Sequence, residues 1–350
     1  MVTVYFATNR QPIGNNDFGS DFSPDGLANL RFGRAEVTGT DFNQITVTVA
    51  PENLFLNPPL LGSETIFQEV RQRMKKDAAD LLLFIHGFNT PFRNALRSAA
   101  QIYQVLTATN DPLSAGKPPL RLIMFVFSWP SDGSMLLTNP NSRDVVAYKN
   151  DRLDALASGA AFARGFLKLN DFINAATTPE EQCNQRLHLL AHSMGNYVLR
   201  SAVQEMRKFV DDSLPRIFDQ ILMMAADEDD DTFDYDHKLR LLPRITRRTS
   251  VYFNRNDLAL WASDNIKGNV SRLGTDGPLQ PRSLPRNIYP IDCTDVISST
   301  EHSYHVVTDR VIVDMRQVIR NAIPDEIPGR KYVPETNRYR LLKTLTPQSR

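Results

Sequence analysis

Leu187-His188-Leu189-Leu190-Ala191-His192-Ser193-Met194-Gly195-Asn196 is the stretch from which the fold of this chain can be read. The first four residues predict a short buried strand, and helix-forming residues run from 194 to about 209. Strand, sharp turn, serine and helix in that order make a nucleophile elbow. Such a turn brings the strand and helix backbones together, so it needs small residues two before and two after the serine. Ala191 and Gly195 stand there, Ala191 in place of the commoner glycine. The elbow lifts the serine oxygen above the sheet and aims the helix N-terminus at developing negative charge. A bare serine near a helix start is more often only a cap. Ser193 is read as a nucleophile because strand, helix and small residues coincide around it.

The regions on both sides repeat the same alternation. Apolar runs at 81–85, 122–127, 221–226, 250–253 and 288–291 predict further strands. Helical patterns cover 64–76, 93–106, about 144–175, and about 310–321. Continuously apolar strands separated by helices predict a mostly parallel sheet covered on both faces. Right-handed crossovers then give a doubly wound α/β sheet, with ligands beyond the carboxyl ends of its strands. Residues 1–60 hold two strand-like runs, 2–7 and 45–49, joined to the main sheet; 61–322 form the α/β core; 323–350 read as a C-terminal tail. The Gly-, Pro- and Ser-rich stretch 268–286 reads as a long surface loop.

Composition narrows the partners. Forty basic and forty acidic residues give zero net charge, so no global attraction to nucleic acid or an anionic membrane is expected. The N-terminus lacks a basic start followed by a long apolar run and reads as a strand rather than a signal peptide. No apolar window reaches about 18 residues, the length that predicts a transmembrane helix. Cys183 and Cys293 are too few for a disulfide framework, and a reducing cytoplasmic setting is the simpler expectation.

Upstream of the elbow, Phe84-Ile85-His86-Gly87-Phe88-Asn89-Thr90 leaves a strand and enters a helix. A His-Gly pair at this point supplies the second donor of an oxyanion hole when an elbow follows. The Phe88 and Met194 N–H groups are the assigned donors. Two acids follow strands after the serine. Asp257 comes after Val251-Tyr252-Phe253-Asn254-Arg255-Asn256, and Asp227 opens an acidic run to Asp231. The run reads as a solvated rim loop, and it lacks the Gly and closing Glu of a calcium site. Of the six histidines, His302 and His305 lie after the last strand and before the terminal helix, where a catalytic base belongs.

Three segments carry a family resemblance. Phe84-Ile85-His86-Gly87-Phe88-Asn89, Phe127-Ser128-Trp129-Pro130-Ser131 and Leu190-Ala191-His192-Ser193-Met194-Gly195-Asn196 together resemble the α/β-hydrolase superfamily. Within it the chain is similar to a bacterial group of largely uncharacterised esterase- or lipase-like hydrolases. Tyr5-Phe6-Ala7-Thr8-Asn9-Arg10 is similar to the start of that group, and the resemblance runs from residue 1 to about 320. It implies the α/β-hydrolase fold, favours Asp257 over Asp227 as the acid, and favours His302 over His305 as the base.

The expected chemistry is cleavage of a small-molecule ester through an acyl-enzyme on Ser193, with a Ser193–His302–Asp257 triad. No metal or organic cofactor is required by it. Trp129 and Phe88 are candidates to line an apolar acyl pocket and are equally candidates for the core. The stretches 130–144 and 268–286 are candidates to roof the site. Acyl transfer to an alcohol or amine uses the same triad, and a non-catalytic binding module on the same fold is the alternative of another class.

Overall fold

The computed structural model describes the chain except residues 15, 110–112, 115, 132–141, 177, 179–181, 211–212, 262–270, 298–299 and 346–350. Its strands are β1 (Val2–Thr8), β2 (Arg10–Pro12), β3 (Phe18–Phe22), β4 (Arg31–Thr38), β5 (Gln44–Val49), β6 (Asp80–Ile85) and β7 (Leu122–Ser128). These are followed by β8 (Leu187–His192), β9 (Phe218–Met224), β10 (Thr246–Phe253), β11 (Ile288–Asp292), β12 (Arg330–Val333) and β13 (Arg338–Leu341). The main helices are α1 (Gly62–Asp77), α2 (Phe92–Thr107), α3 (Ser142–Asn174), α4 (Gly195–Val210) and α5 (Asp309–Ile319). Among the described residues, eleven strands form one sheet in the order β12-β13-β11-β10-β9-β8-β6-β7-β1-β4-β5. From β13 to β1 every neighbouring pair is parallel; β12, β4 and β5 add antiparallel pairings at the two edges. The doubly wound, mostly parallel α/β sheet expected from the apolar runs is present.

The continuous apolarity of the central strands has a direct cause. Side chains alternate between faces along a strand, and both faces are covered. Leu81, Leu83, Ile85, Phe125 and Leu189 pack on α1, α3 and α4, whereas Leu82, Phe84, Met124, Leu190 and Leu222 pack on α2 and α5. The chain passes from β6 to β7 on one side, then crosses to β8 on the other. That reversal opens a crevice at the carboxyl ends of β6 and β8. The loop after β6 and the turn after β8 meet there.

Several regions differ from expectation. The 323–350 tail contains β12 and β13, which extend the sheet beyond β11. Residues 132–141 of the 130–144 stretch and 268–270 of the 268–286 stretch lie outside the described residues. The remainder of the latter is no simple surface loop: Arg272 and Leu273 are fully buried, and a short helical turn occupies Leu273–Asp276. A Cβ on Gly274 would lie 2.5 Å from the Ala226 amide nitrogen, so glycine permits this close approach. Cys183 and Cys293 are both free. Among the described residues no helix is long and apolar enough to cross a membrane.

Candidate active site

Ser193 sits between β8 and α4 with φ of 52°, in the left-handed region. For a residue other than glycine this costs about 1–3 kcal/mol and must be imposed by its surroundings. The restraints are visible. The Ser193 amide donates to the Met224 carbonyl at 2.9 Å, and its own carbonyl accepts from the Asp227 amide at 3.2 Å. The buried Asn196 side chain donates to the Ala191 and Ser193 carbonyls at 3.1 and 3.0 Å. Small residues are required on both sides of the serine. A Cβ on Gly195 would lie 2.5 Å from the Ile85 carbonyl oxygen, and one on Gly87 would lie 2.9 Å from Ser193 Cβ.

The loop after β6 is fixed from three directions. His86 is buried and stacks on Trp129, with ring centres 5.2 Å apart and planes 7° from parallel. Its Nε2 accepts from the Trp129 amide at 3.2 Å, so its Nδ1 carries the hydrogen and donates to the Gly87 carbonyl at 2.9 Å. Burial, aided by the Arg10 charge, pushes the His86 pKa down to about 3, so the ring is a neutral structural plate. Asp151 of α3 accepts from the Asn89 amide at 3.3 Å and the Ser131 hydroxyl at 2.7 Å. The buried Arg10 donates to the Thr90 carbonyl at 2.6 Å. Asn89, like Ser193, has a positive φ, 52°.

Trp129, a candidate for the acyl pocket or the core, lies in the core. It is fully buried, is absent from the lining of the crevice that holds Ser193, and donates through Nε1 to the His86 carbonyl at 2.9 Å. Its indole braces the loop after β6 from behind. Phe88 does line the crevice, with its ring 6.0 Å from that of Tyr148.

Asp257 and His302 meet across 45 positions of sequence. His302 Nδ1 lies 2.7 Å from Asp257 Oδ2. The other carboxylate oxygen accepts from the Ala259 and Leu260 amides at 3.1 and 3.2 Å. Asp257 is therefore anchored as an Asx-type cap and orients the imidazole with its free oxygen. Burial opposes a charge on His302. The adjacent Asp257 carboxylate and its hydrogen bond more than offset burial and hold the pKa above the ordinary histidine value. The His302 side chain keeps 23% exposure, whereas that of Asp257 has none; the ring reaches the crevice and the acid stays behind it.

The two alternatives have other partners. Asp227 is buried, accepts from the Tyr148 hydroxyl at 2.7 Å, and pairs with Arg272 at 3.5 Å. His305 is buried against His192, with ring centres 4.4 Å apart, and its Nδ1 has no partner among the described residues. Burial and the neighbouring His302 charge lower the His305 pKa to about 3. His192 bonds through Nε2 to the His302 carbonyl at 3.2 Å, which ties the elbow to the histidine loop.

Ser193, His302, His305, Asp227, Phe88 and Gly87 all line one crevice of about 330 Å³. Among the described residues no hydrogen bond joins the Ser193 hydroxyl to His302, and neither the Phe88 nor the Met194 amide donates within the protein. The acidic run is no solvated rim. Glu228 is buried against Arg200 at 2.7 Å, and Asp229 meets Arg272 at 2.6 Å and Lys238 at 3.0 Å. Among the described residues no group of three His, Cys, Asp or Glu side chains has a metal-binding arrangement.

Residues 63–321 match a family of α/β hydrolases of unknown function (DUF900). The chain belongs to that family. No curated protein matches it. The matched span of this α/β hydrolase holds the elbow, the loop after β6, Asp257 and His302; β1, β4, β5, β12 and β13 lie outside it. Arg10, Asp151 and Asn196 were not singled out by sequence reasoning. The likeness of Tyr5-Phe6-Ala7-Thr8-Asn9-Arg10 to a family start is the sequence signal that includes Arg10.

Proposed function

We propose that this α/β hydrolase is a serine hydrolase, carboxylesterase- or lipase-like, that cleaves a small-molecule carboxylic ester through an acyl-enzyme on Ser193. The observation that carries this reading is the 2.7 Å contact between His302 and the buried Asp257 at the crevice that also contains Ser193. With its Nδ1–H committed to Asp257, neutral His302 presents the Nε2 lone pair as a base. Nε2 takes the Ser193 proton as Oγ attacks the acyl carbonyl. The Phe88 and Met194 amides receive the oxyanion, each worth a few kcal/mol in the transition state. The imidazolium then protonates the departing alkoxide, which leaves as the alcohol. Water, deprotonated by the same ring, attacks the acyl-enzyme; collapse releases the carboxylic acid and returns the proton to Ser193. The missing Ser193–His302 hydrogen bond is compatible with this sequence, because such contacts are often long before substrate binds.

The test uses a fluorophosphonate label and a panel of p-nitrophenyl esters of varied acyl length. The wild type is expected to be labelled and to cleave esters. Ser193→Ala should stay folded, lose the label and lose turnover by several orders of magnitude. Wild-type turnover in a purified Ser193→Ala sample overturns the proposal. Free carboxylate as the main product in the presence of excess alcohol distinguishes hydrolysis from acyl transfer.

A further inference from the structure

A second cavity, of about 340 Å³, lies between α1, α3 and the sheet face. Phe67 and Met74 of α1, Phe162 and Phe166 of α3, and Leu83 and Phe125 of the sheet form its walls. It shares no lining residue with the catalytic crevice. Leu187, which starts β8, lines this cavity, whereas Ser193 follows the other end of that strand. At about 3.3 Å per residue, six residues put the two about 20 Å apart. Protein interiors seldom leave such space open, because side chains bordering a void forfeit dispersion contacts. Several hundred Å³ is the ordinary size of a small-molecule site.

The mouth is polar where the walls are not. Arg71, Gln182, Cys183, Asn184 and Gln185 stand there, with Gln182 and Asn184 exposed. The Arg71 guanidinium lies over the Phe172 ring at 4.5 Å and has no acidic partner among the described residues. An apolar sleeve with an arginine at its opening matches a ligand with an aliphatic chain and one anionic, planar head. We propose that this cavity binds an unesterified medium-chain alkyl carboxylate, its chain between α1 and α3 and its carboxylate on Arg71. A guanidinium donates two parallel hydrogen bonds to a carboxylate, and the chain supplies the contacts that the walls lack. The proposal does not depend on Ser193.

Calorimetric titration of the full chain with decanoate and with 1-decanol tests it, alongside the rate of Cys183 alkylation by iodoacetamide. Decanoate is expected to bind one to one and to slow alkylation of Cys183. Arg71→Gln should weaken decanoate by about tenfold, the loss of one charge-assisted pair, and leave 1-decanol unchanged. Leu169→Trp, which fills the cavity from α3, should abolish binding of both. Ester turnover should be unaffected by Arg71→Gln, so failure here is separable from failure of the catalytic assignment. Absence of decanoate binding to the wild type overturns the proposal, as does equal binding by wild type and Arg71→Gln or an unprotected Cys183.

Discussion

Asp257 divides its two oxygens between a backbone cap and a histidine, and in the proposed mechanism that division lets His302 serve as the base. One oxygen accepts from Ala259 and Leu260, and the other holds His302 Nδ1 at 2.7 Å. The pH dependence follows from the raised His302 pKa. The base must be neutral, so kcat/KM should rise with pH through one ionisation whose midpoint lies above about 6.5, the unperturbed histidine value. Asp257→Asn removes the favourable charge, so the midpoint should move down while the plateau falls by as much as about 10⁴-fold, the loss seen when a triad carboxylate becomes an amide. Asp227→Asn should cost far less, since Arg272 keeps Asp229 as a partner at 2.6 Å. His305 has its pKa at about 3 and should add no inflection near neutrality. Profiles of kcat/KM against pH for the wild type and both variants check this; if Asp227→Asn is the more damaging of two equally well-folded proteins, the acid is misassigned. Strand order offered Asp257 and Asp227 as acids and His302 and His305 as bases, and the family resemblance favoured the two that the fold brings within 2.7 Å of each other. Arg10 and Asp151 were not legible, because their value lies in contacts to Thr90 and Asn89, 80 and 62 positions apart; Asn196 acts locally, on the Ala191 and Ser193 carbonyls, through a turn geometry that residue type alone does not reveal.

Among the elements, the central strands were the easiest to read and the edges the hardest, for one physical reason. Strands buried on both faces must be apolar at every position, as in Leu81-Leu82-Leu83-Phe84-Ile85. Strands next to the edges, such as β4 and β13, carry arginines and alternate in burial, so composition alone does not separate them from loops. The Phe127-Ser128-Trp129-Pro130-Ser131 segment was legible as a motif, whereas its place, pocket or core, was left open by the sequence. It ends β7 and braces the loop after β6 through the Trp129–His86 stack and through Ser131, which bonds to Asp151. Trp129→Phe keeps a ring on His86 and removes the Nε1 donor to the His86 carbonyl. A buried carbonyl left without its donor costs about 1–3 kcal/mol. The variant is therefore expected to lose that much stability in urea unfolding, to lower kcat through a looser oxyanion loop, and to keep KM. A raised KM with unchanged unfolding would return Trp129 to the substrate pocket.

The whole molecule is larger than the span that identifies its family. The match ends at residue 321, yet the sheet continues through β13 and β12. Beside the pairing of β13 with β11, a buried ion pair ties that edge to the core. Arg330 of β12 donates to both oxygens of Asp314 on α5, at 2.7 and 2.6 Å, and Tyr252 of β10 donates to the same carboxylate at 2.7 Å. The Arg330 and Asp314 side chains are 1% and 0% exposed. Water is excluded, so the pair is costly to break from one side, whatever its net worth against an apolar replacement. Arg330→Met leaves the Asp314 carboxylate buried with the Tyr252 hydroxyl as its hydrogen-bond donor among the described residues, and should reduce unfolding free energy by about 3–5 kcal/mol. Adding Asp314→Leu removes the stranded charge as well, and should recover much of that loss. Urea unfolding of the two variants beside the wild type measures both effects. If Arg330→Met unfolds with the wild-type midpoint and slope, β12 is an appendage, and residues 323–350 deserve their first reading as a tail. A loss in the single variant that the double variant reverses makes the last strands part of the same cooperative unit as the sheet that carries Ser193, Asp257 and His302.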